Sequence, residues 1–276
     1  MVALYKKSIL CLLIILYILN IFNLNITFAN ADLSCVLDKK KYVRSQMDLR
    51  NIGESIFFGN YEQNGVESDG KEPIEWIILK KDVNNDSAIL ISKYILDCFP
   101  FNAFNTKATW ENCSLRNYMN TTMLVEMFDE VELSCILPTF LLNSENIFNG
   151  AYSGSQTYDF LFIPGIDEML AFFSNANFVN EARINELTKP NAIRVCYATQ
   201  YAKNRGVRVL SEKSKYSGAG NYFLRTSGLP GRRKWYNDVY ADYFQSFVTE
   251  NGAIHADGTS VTSVDDGIRP MVQISY

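Results

Sequence analysis

The chain is predicted to fold as an α+β domain, and three observations lead there. Short apolar runs bounded by turn residues come first, helix-spaced apolar residues occupy the middle, and short apolar runs return at the end. That order places strands and helices in separate stretches, unlike the alternation that builds a parallel sheet. The last fifty-odd residues, Asn221 to Tyr276, hold two such runs, Tyr222 to Leu224 and Met271 to Ile274, each close to an arginine and a glycine. Between them Leu229 to Phe244 is dense in Arg, Trp, Tyr and Asp.

The first strand is expected at Ser55 to Tyr61, where the domain begins, followed by a turn-rich loop over Gln63 to Gly70. Ile74 to Leu79 and Ala88 to Ser92 then read as core strands, joined through Asn84-Asn85-Asp86. Asn and Asp tolerate the left-handed backbone of a tight hairpin turn. Unbroken apolar character suggests strands covered on both faces. Ser114 is placed to cap a helix over Leu115 to Met119, and Thr121 or Thr122 one over Met123 to Leu133. Leu124, Met127, Phe128 and Val131 fall there at three- and four-residue spacing. Phe140 to Gly154 reads as loop, Asp159 to Ile163 as a strand stopped by Pro164-Gly165, and Asp167 to Phe173 and Arg194 to Lys203 as helices. A glycine-punctuated loop, Gly206 to Gly220, leads to strands at Tyr222 to Arg225, Phe244 to Thr249, Ala253 to Ala256 and Ile268 to Tyr276.

Ahead of this domain, Lys6 and Lys7 precede an apolar run, Ile9 to Leu19, that ends at Ala29-Asn30-Ala31-Asp32. A positive start, an apolar stretch and an A-x-A site are the parts of a secretory signal peptide, with cleavage after Ala31. An uncleaved anchor, the one route to a membrane, needs about 20 apolar residues, and Asn20, Asn23 and Asn25 interrupt that length. Residues 32–54 are charged and poorly patterned, and read as a leader into the fold. Cleavage leaves 245 of the 276 residues, with 24 basic against 30 acidic side chains. That length supports a real core in one domain, 55–276, and the acidic balance argues against nucleic acid as a partner. Five cysteines remain (Cys35, Cys98, Cys113, Cys135, Cys196), irregularly spaced and without a C-x-x-C, so at most one disulfide and no zinc site are expected.

Four segments carry a family resemblance. They are Phe58-Gly59-Asn60-Tyr61-Glu62-Gln63, Ile74-Glu75-Trp76-Ile77-Ile78-Leu79, Trp110 to Asn120 (W-E-N-C-S-L-R-N-Y-M-N), and Leu224-Arg225-Thr226-Ser227-Gly228 ending in Gly267-Ile268-Arg269-Pro270. Their order and spacing resemble the bacterial domain-of-unknown-function family 6273 over nearly the whole mature chain. That family is in turn distantly similar to C-type-lectin-like domains, in the branch that includes formylglycine-generating enzymes. The resemblance implies paired terminal strands with long loops projecting from one side. Tyr222-Phe223 stands where the family often has an aromatic-tryptophan pair, and Met271 where alanine is common; both keep apolar bulk. Enzymes of the related branch bind copper through a cysteine pair late in the fold, and no cysteine follows Cys196.

His255 and Asp257 would share a strand face, a fragment of a catalytic dyad with no identifiable nucleophile beside it. A carboxylate pair for glycoside hydrolysis is not visible in sequence. Arg225 and Arg269 lie inside apolar runs, where a buried guanidinium must be paired, so they are expected to hold loop carbonyls or a carboxylate. The expected ligand-binding residues are Arg232, Arg233, Trp235, Tyr236, Asn237, Asp238 and Tyr240, with Trp235 and Tyr236 as anchors. They combine cations, acids and flat amphipathic rings, the types enriched at binding surfaces. Asn237, Asp238 and Asp242 are also oxygen donors of the kind calcium takes, although a site needs about 6–8 of them. The stretch is similar to the W-N-D motif of C-type lectins, but Tyr236 interrupts it and no E-P-N or Q-P-D partner is present.

The expectation is therefore a secreted or cell-surface, non-catalytic binding module with no catalytic or metal residues and no required cofactor. Its partner would be a surface glycan, a cell-wall polymer or a protein. The alternatives are a secreted enzyme of the formylglycine-generating type or a hydrolase, and a structural component of the cell surface.

Overall fold

The computed structural model describes residues 33–174, 186–211, 213–229, 233–235, 238–240 and 243–276, and of 33, 233–235 and 238–240 the backbone alone. The expected signal peptide, Met1 to Ala31, lies outside the described residues. In chain order the strands are β1 (Ser55–Tyr61), β2 (Glu72–Asp82), β3 (Ser87–Ser92), β4 (Asp97–Cys98), β5 (Ile136–Leu137), β6 (Thr139–Leu141), β7 (Thr157–Asp159) and β8 (Leu161–Phe162). They continue with β9 (Tyr222–Ser227), β10 (Arg233–Trp235), β11 (Asp238–Tyr240), β12 (Phe244–Val248), β13 (Ile254–Ser260), β14 (Gly267–Ile268) and β15 (Met271–Ser275). The helices are α1 (Leu33–Leu49), α2 (Ser114–Tyr118), α3 (Leu124–Met127), α4 (Glu130–Leu133), α5 (Ile166–Phe172) and α6 (Gln200–Asn204). The architecture is α+β.

Two sheets make the frame. The first runs β1-β2-β3-β15-β5, with β8 also on β15, and all its pairs are antiparallel. The second runs β13-β12-β9-β14-β4. The β2–β3 hairpin turns where Asn84 to Asp86 predicts it, with Asp86 at φ 47°. Along β2 Ile74, Trp76 and Ile78 are buried at alternate positions and Leu79 is buried beside them, whereas β9 is buried at all six positions. Trp76 fixes the first hairpin by donating Nε1–H to the Phe58 carbonyl at 2.7 Å. Gly59 sits at φ 71° in the β1 bulge, where a Cβ would come within 2.6 Å of the Phe128 ring.

The first and last strands share a sheet but do not pair with each other. Two hairpins carry the chain from the β1 edge inward to β3, so β15 pairs with β3 and β1 is left at the edge. The segment expected to be a leader closes that edge. It is helix α1, which buries Val43 and Met47. Gln46 imitates a neighbouring strand there: its amide donates to the Phe57 carbonyl at 3.1 Å and accepts the Phe57 N–H at 3.0 Å. Arg44 donates to the Tyr276 carbonyl at 2.9 Å, and Lys39 pairs with buried Glu132 at 2.5 Å.

The middle of the chain is helical with more breaks than periodicity suggests. Cys113 caps α2, and the helical path runs on through a π-turn at Met119–Met123, so Thr121 and Thr122 lie inside it rather than at a start. The path breaks at Phe128, and Asp129 restarts it as α4, with a capping box to Glu132. The helix expected over Arg194 to Lys203 is a 3-10 turn at Ala192–Arg194, an extended stretch, and α6 capped by Thr199. All five described cysteines are free, four of them buried.

The chain passes from the second sheet into the first at Arg269-Pro270, between β14 and β15. Arg269 is buried there; its Nε donates to the Ser92 carbonyl at 3.1 Å and its Nη1 to the Tyr222 hydroxyl at 3.3 Å. The guanidinium also faces the rings of Tyr222 and Phe173 at 5.3 and 5.4 Å. Arg225, on β9, takes the carboxylate role instead, gripping Glu168 through Nη1 at 2.7 Å and Nη2 at 2.6 Å. Its Nε reaches Asn143 at 3.2 Å, and its Nη1 also reaches the Ile163 carbonyl at 3.2 Å. Arg225→Met is expected to lower stability by about 2–4 kcal/mol, because partly buried Glu168 is left without its cation. Urea unfolding would read this loss, and adding Glu168→Gln to the variant should recover a large part of it.

Candidate functional site

Loops from four parts of the chain converge beside the open end of β9 and β12. Their described residues are 102–109, 143–156, 228–229 with 243, and 257–263, and hydrogen bonds stitch them together. Asn146 donates through its amide to the carbonyls of Ser227 at 2.8 Å and Ala256 at 2.9 Å. Asn149 donates to Asp257 Oδ1 at 3.2 Å, and Ser155 N–H to Glu111 Oε2 at 2.8 Å. Asn102 N–H reaches the Val261 carbonyl at 2.8 Å. Gly154, at φ 106°, lets its loop lie against Thr109, whose Oγ1 would be 2.7 Å from an added Cβ.

The aromatic and basic stretch is rooted in this assembly. On one side Leu229 N–H donates to the Asp257 carbonyl at 2.9 Å; on the other Tyr243 N–H donates to Asn105 Oδ1 at 3.4 Å. Between the roots, Arg233–Trp235 pairs antiparallel with Asp238–Tyr240, placing Trp235 opposite Asp238. Arg232, Tyr236 and Asn237, together with Asp242, lie outside the described residues, as do the side chains of Arg233, Trp235, Asp238 and Tyr240. Beside the roots Phe104 is 73% exposed, and Ile147 and Tyr152 are also exposed. The adjoining hairpin of β6 and β7 adds a cross-strand aromatic pair, Phe140 and Tyr158, with centroids 5.3 Å apart and both rings open to solvent. Sequence does not separate Phe104, Phe140, Tyr152 and Tyr158 from core aromatics; only their position on loops and a two-stranded hairpin exposes them.

The acid and base groups are already occupied. His255 Nδ1 accepts the Gly258 N–H at 3.0 Å and its ring stacks on Phe247 at 5.1 Å, while Asp257 is held by Asn149. The dyad suggested by their spacing does not form. Asp159 accepts Trp110 Nε1–H at 2.9 Å, Thr157 Oγ1–H at 2.7 Å and Arg116 Nε–H at 2.5 Å. Asp97, fully buried, accepts the hydroxyls of Tyr61 at 2.8 Å and Tyr118 at 2.7 Å, Arg205 Nε–H at 2.9 Å and the Cys98 N–H at 2.7 Å. Four donors fill the lone pairs of Asp97 and three occupy Asp159, which leaves these two buried carboxylates little capacity to accept a substrate proton. Burial pushes the thiols of Cys98 and Cys113 up to about 12, so neither is a thiolate nucleophile near neutral pH. No group of three His, Cys, Asp or Glu side chains suited to a metal occurs among the described residues.

Asp266 is the exception in charge balance. It is buried, its Oδ1 has no hydrogen-bond partner among the described residues, and its Oδ2 accepts from Ser263 Oγ at 2.8 Å. Burial raises its carboxyl from 3.8 to about 6. Between those values the folded chain holds a proton on Asp266 that the unfolded chain has lost, so this residue's contribution to stability falls as pH rises through the window from about 4 to about 6 and levels off above it. Asp266→Asn is expected to raise the melting temperature at pH 7.5 and flatten that fall, removing a penalty of up to about 3 kcal/mol. Melting curves at pH 4, 5, 6 and 7.5 check it; a variant that follows the wild-type profile would count against a protonated Asp266.

Neither a curated protein nor a solved structure matches the chain. A family match covers residues 85–276, and so takes in the Trp110 to Asn120 segment and both arginine-bearing terminal segments; the two earlier segments lie ahead of it. On that match the chain belongs to the family described as domain of unknown function DUF6273.

Proposed function

We propose that this chain is a non-catalytic binding module, and that the four-loop face carries recognition of a surface glycan, a cell-wall polymer or a protein. The observation that carries the reading is the common root of the aromatic-basic hairpin and exposed Phe104. Leu229 and Tyr243, which bracket the stretch, are tied to Asp257 and Asn105, so the hairpin backbone springs from loops that also carry exposed Phe104. Exposed aromatics of this kind supply contact area at low entropic cost. The occupied carboxylates and protonated thiols support binding over hydrolysis. A bacterial source, export through the amino-terminal segment and a C-type-lectin-like arrangement of the loops are parts of the same proposal. Among the described residues no helix is long and apolar enough to cross a membrane.

The test is a glycan array and a pull-down on insoluble cell-wall material, followed by titration of whatever binds. Phe104→Ala combined with Trp235→Ala is expected to weaken that ligand by about tenfold, since each stacked ring contributes about 0.5–1.5 kcal/mol beyond its buried area. The melting temperature should stay within a degree or two of wild type. Full binding by the double variant would remove the loop face as the site.

A further inference from the structure

Away from the loop face, the Asp97 cluster is built in a way that core packing alone does not require. Asp97 has no exposure, and four donors converge on its two oxygens. Two of them are phenols whose orientation is locked. Tyr118 stacks flat on Phe99 at 4.4 Å and 2°, and Tyr61 meets Tyr201 edge-on at 5.8 Å and 87°. The third side-chain donor, Arg205, differs from the others because its side chain is 40% exposed. Asp97 engages the guanidinium only through Nε, and the plane lies over the Tyr201 ring at 5.7 Å. The outer edge, Nη1 and Nη2, makes no hydrogen bond to any described residue.

A guanidinium has two edges that match a carboxylate, the Nε side and the terminal Nη1/Nη2 side. Here one edge is anchored from below by a fully buried acid, while the other is turned away from it. A free arginine samples many rotamers, and holding it by a buried partner and a ring removes that entropy before a ligand arrives. The acids whose field reaches this surface are Glu126 and Glu67 near Tyr201, and Lys71 lies close by, bound to the Glu126 carbonyl at 2.6 Å. That mixed field gives no long-range pull on a dense polyanion. It leaves short-range, bidentate contact as the source of affinity.

We infer that Arg205 is a ligand-binding residue, a guanidinium fork positioned by Asp97 to receive a single carboxylate on an otherwise neutral body, with the Tyr201 and Tyr118 rings flanking it. Asp97, Tyr61 and Tyr118 are positioning residues for that fork. The site is independent of the loop face: it shares no residue with it, and either can fail without the other.

The experiment titrates the full chain at low salt, followed by 15N NMR, with two carboxylates and their neutral counterparts. Methyl glucuronide and N-acetylalanine carry the carboxylate on a sugar and on a peptide; methyl glucoside and N-acetylalaninamide lack it. Saturable millimolar shifts near Arg205 are expected for the acids only, and binding of just one acid would identify the body that the site prefers. Arg205→Lys keeps a cation beside Asp97 but loses the fork, and is expected to weaken the acid at least tenfold with the fold intact. Tyr118→Phe should weaken it a few-fold by loosening Asp97. Absence of saturable binding by both acids, equal binding of the neutral compounds, or wild-type affinity in Arg205→Lys would overturn the proposal.

Discussion

The fold depends on how a charged residue is buried where the chain crosses between its two sheets. β14 belongs to one sheet and β15 to the other, and Arg269 occupies the single step between them with Pro270. An uncompensated cation at that depth would cost several kcal/mol. Among the described residues Arg269 is satisfied by the Ser92 carbonyl, the Tyr222 hydroxyl and two aromatic faces, not by a carboxylate. Each partner belongs to a different part of the frame: Ser92 ends β3, Tyr222 begins β9, and Phe173 follows α5. Tyr222 passes the connection on by donating its hydroxyl to the Arg194 carbonyl at 2.9 Å. Arg194 in turn donates to the carbonyls of Gly252 at 2.7 Å and Lys189 at 2.9 Å. The buried arginines 194, 225 and 269 therefore tie loop carbonyls and helix carboxylates to the sheets.

This wiring separates the scaffold from the loops proposed to bind. Asp97 and Asp159 are consumed by the arginines, tyrosines and tryptophan that fix the frame, so these two are poor candidates for proton transfer. What remains available is at the periphery, in the rooted loop face and in the outer edge of Arg205. Both rest on rigid supports, which is the arrangement that binding through loops requires.

The strands and turns were legible in the sequence because their signals are local. Asn84 to Asp86 encodes the hairpin, Pro164-Gly165 ends β8, and the apolar runs at Tyr222 and Met271 mark strands buried on both sides. Burial of Arg225 and Arg269 was also legible, because an arginine inside an apolar run is carried into the core with its strand. Helix α1 was not, because it docks through two apolar residues four apart and otherwise through polar contacts such as Gln46 on Phe57. The break at Phe128 was hidden by apolar spacing that continues across it, and only the Asp129 capping box marks it. The Asp97 cluster is joined by contacts across 21 to 108 residues, and nothing at either end of those separations marks the partner. The expected binding residues lie outside the described side chains, with only the flanking Leu229 and Tyr243 tied into the loops, while exposure of Phe104 and the Phe140–Tyr158 pair required the fold.

Hydrogen exchange of the full chain with and without purified cell-wall polymer or an array-identified glycan tests the central claim most directly. Protection is expected over 102–109, 143–156, 228–243 and 257–263 together, with the strands of both sheets unchanged because the frame is already closed. Protection confined to other segments, or bound ligand with no change in these four loops, would contradict recognition by the loop face.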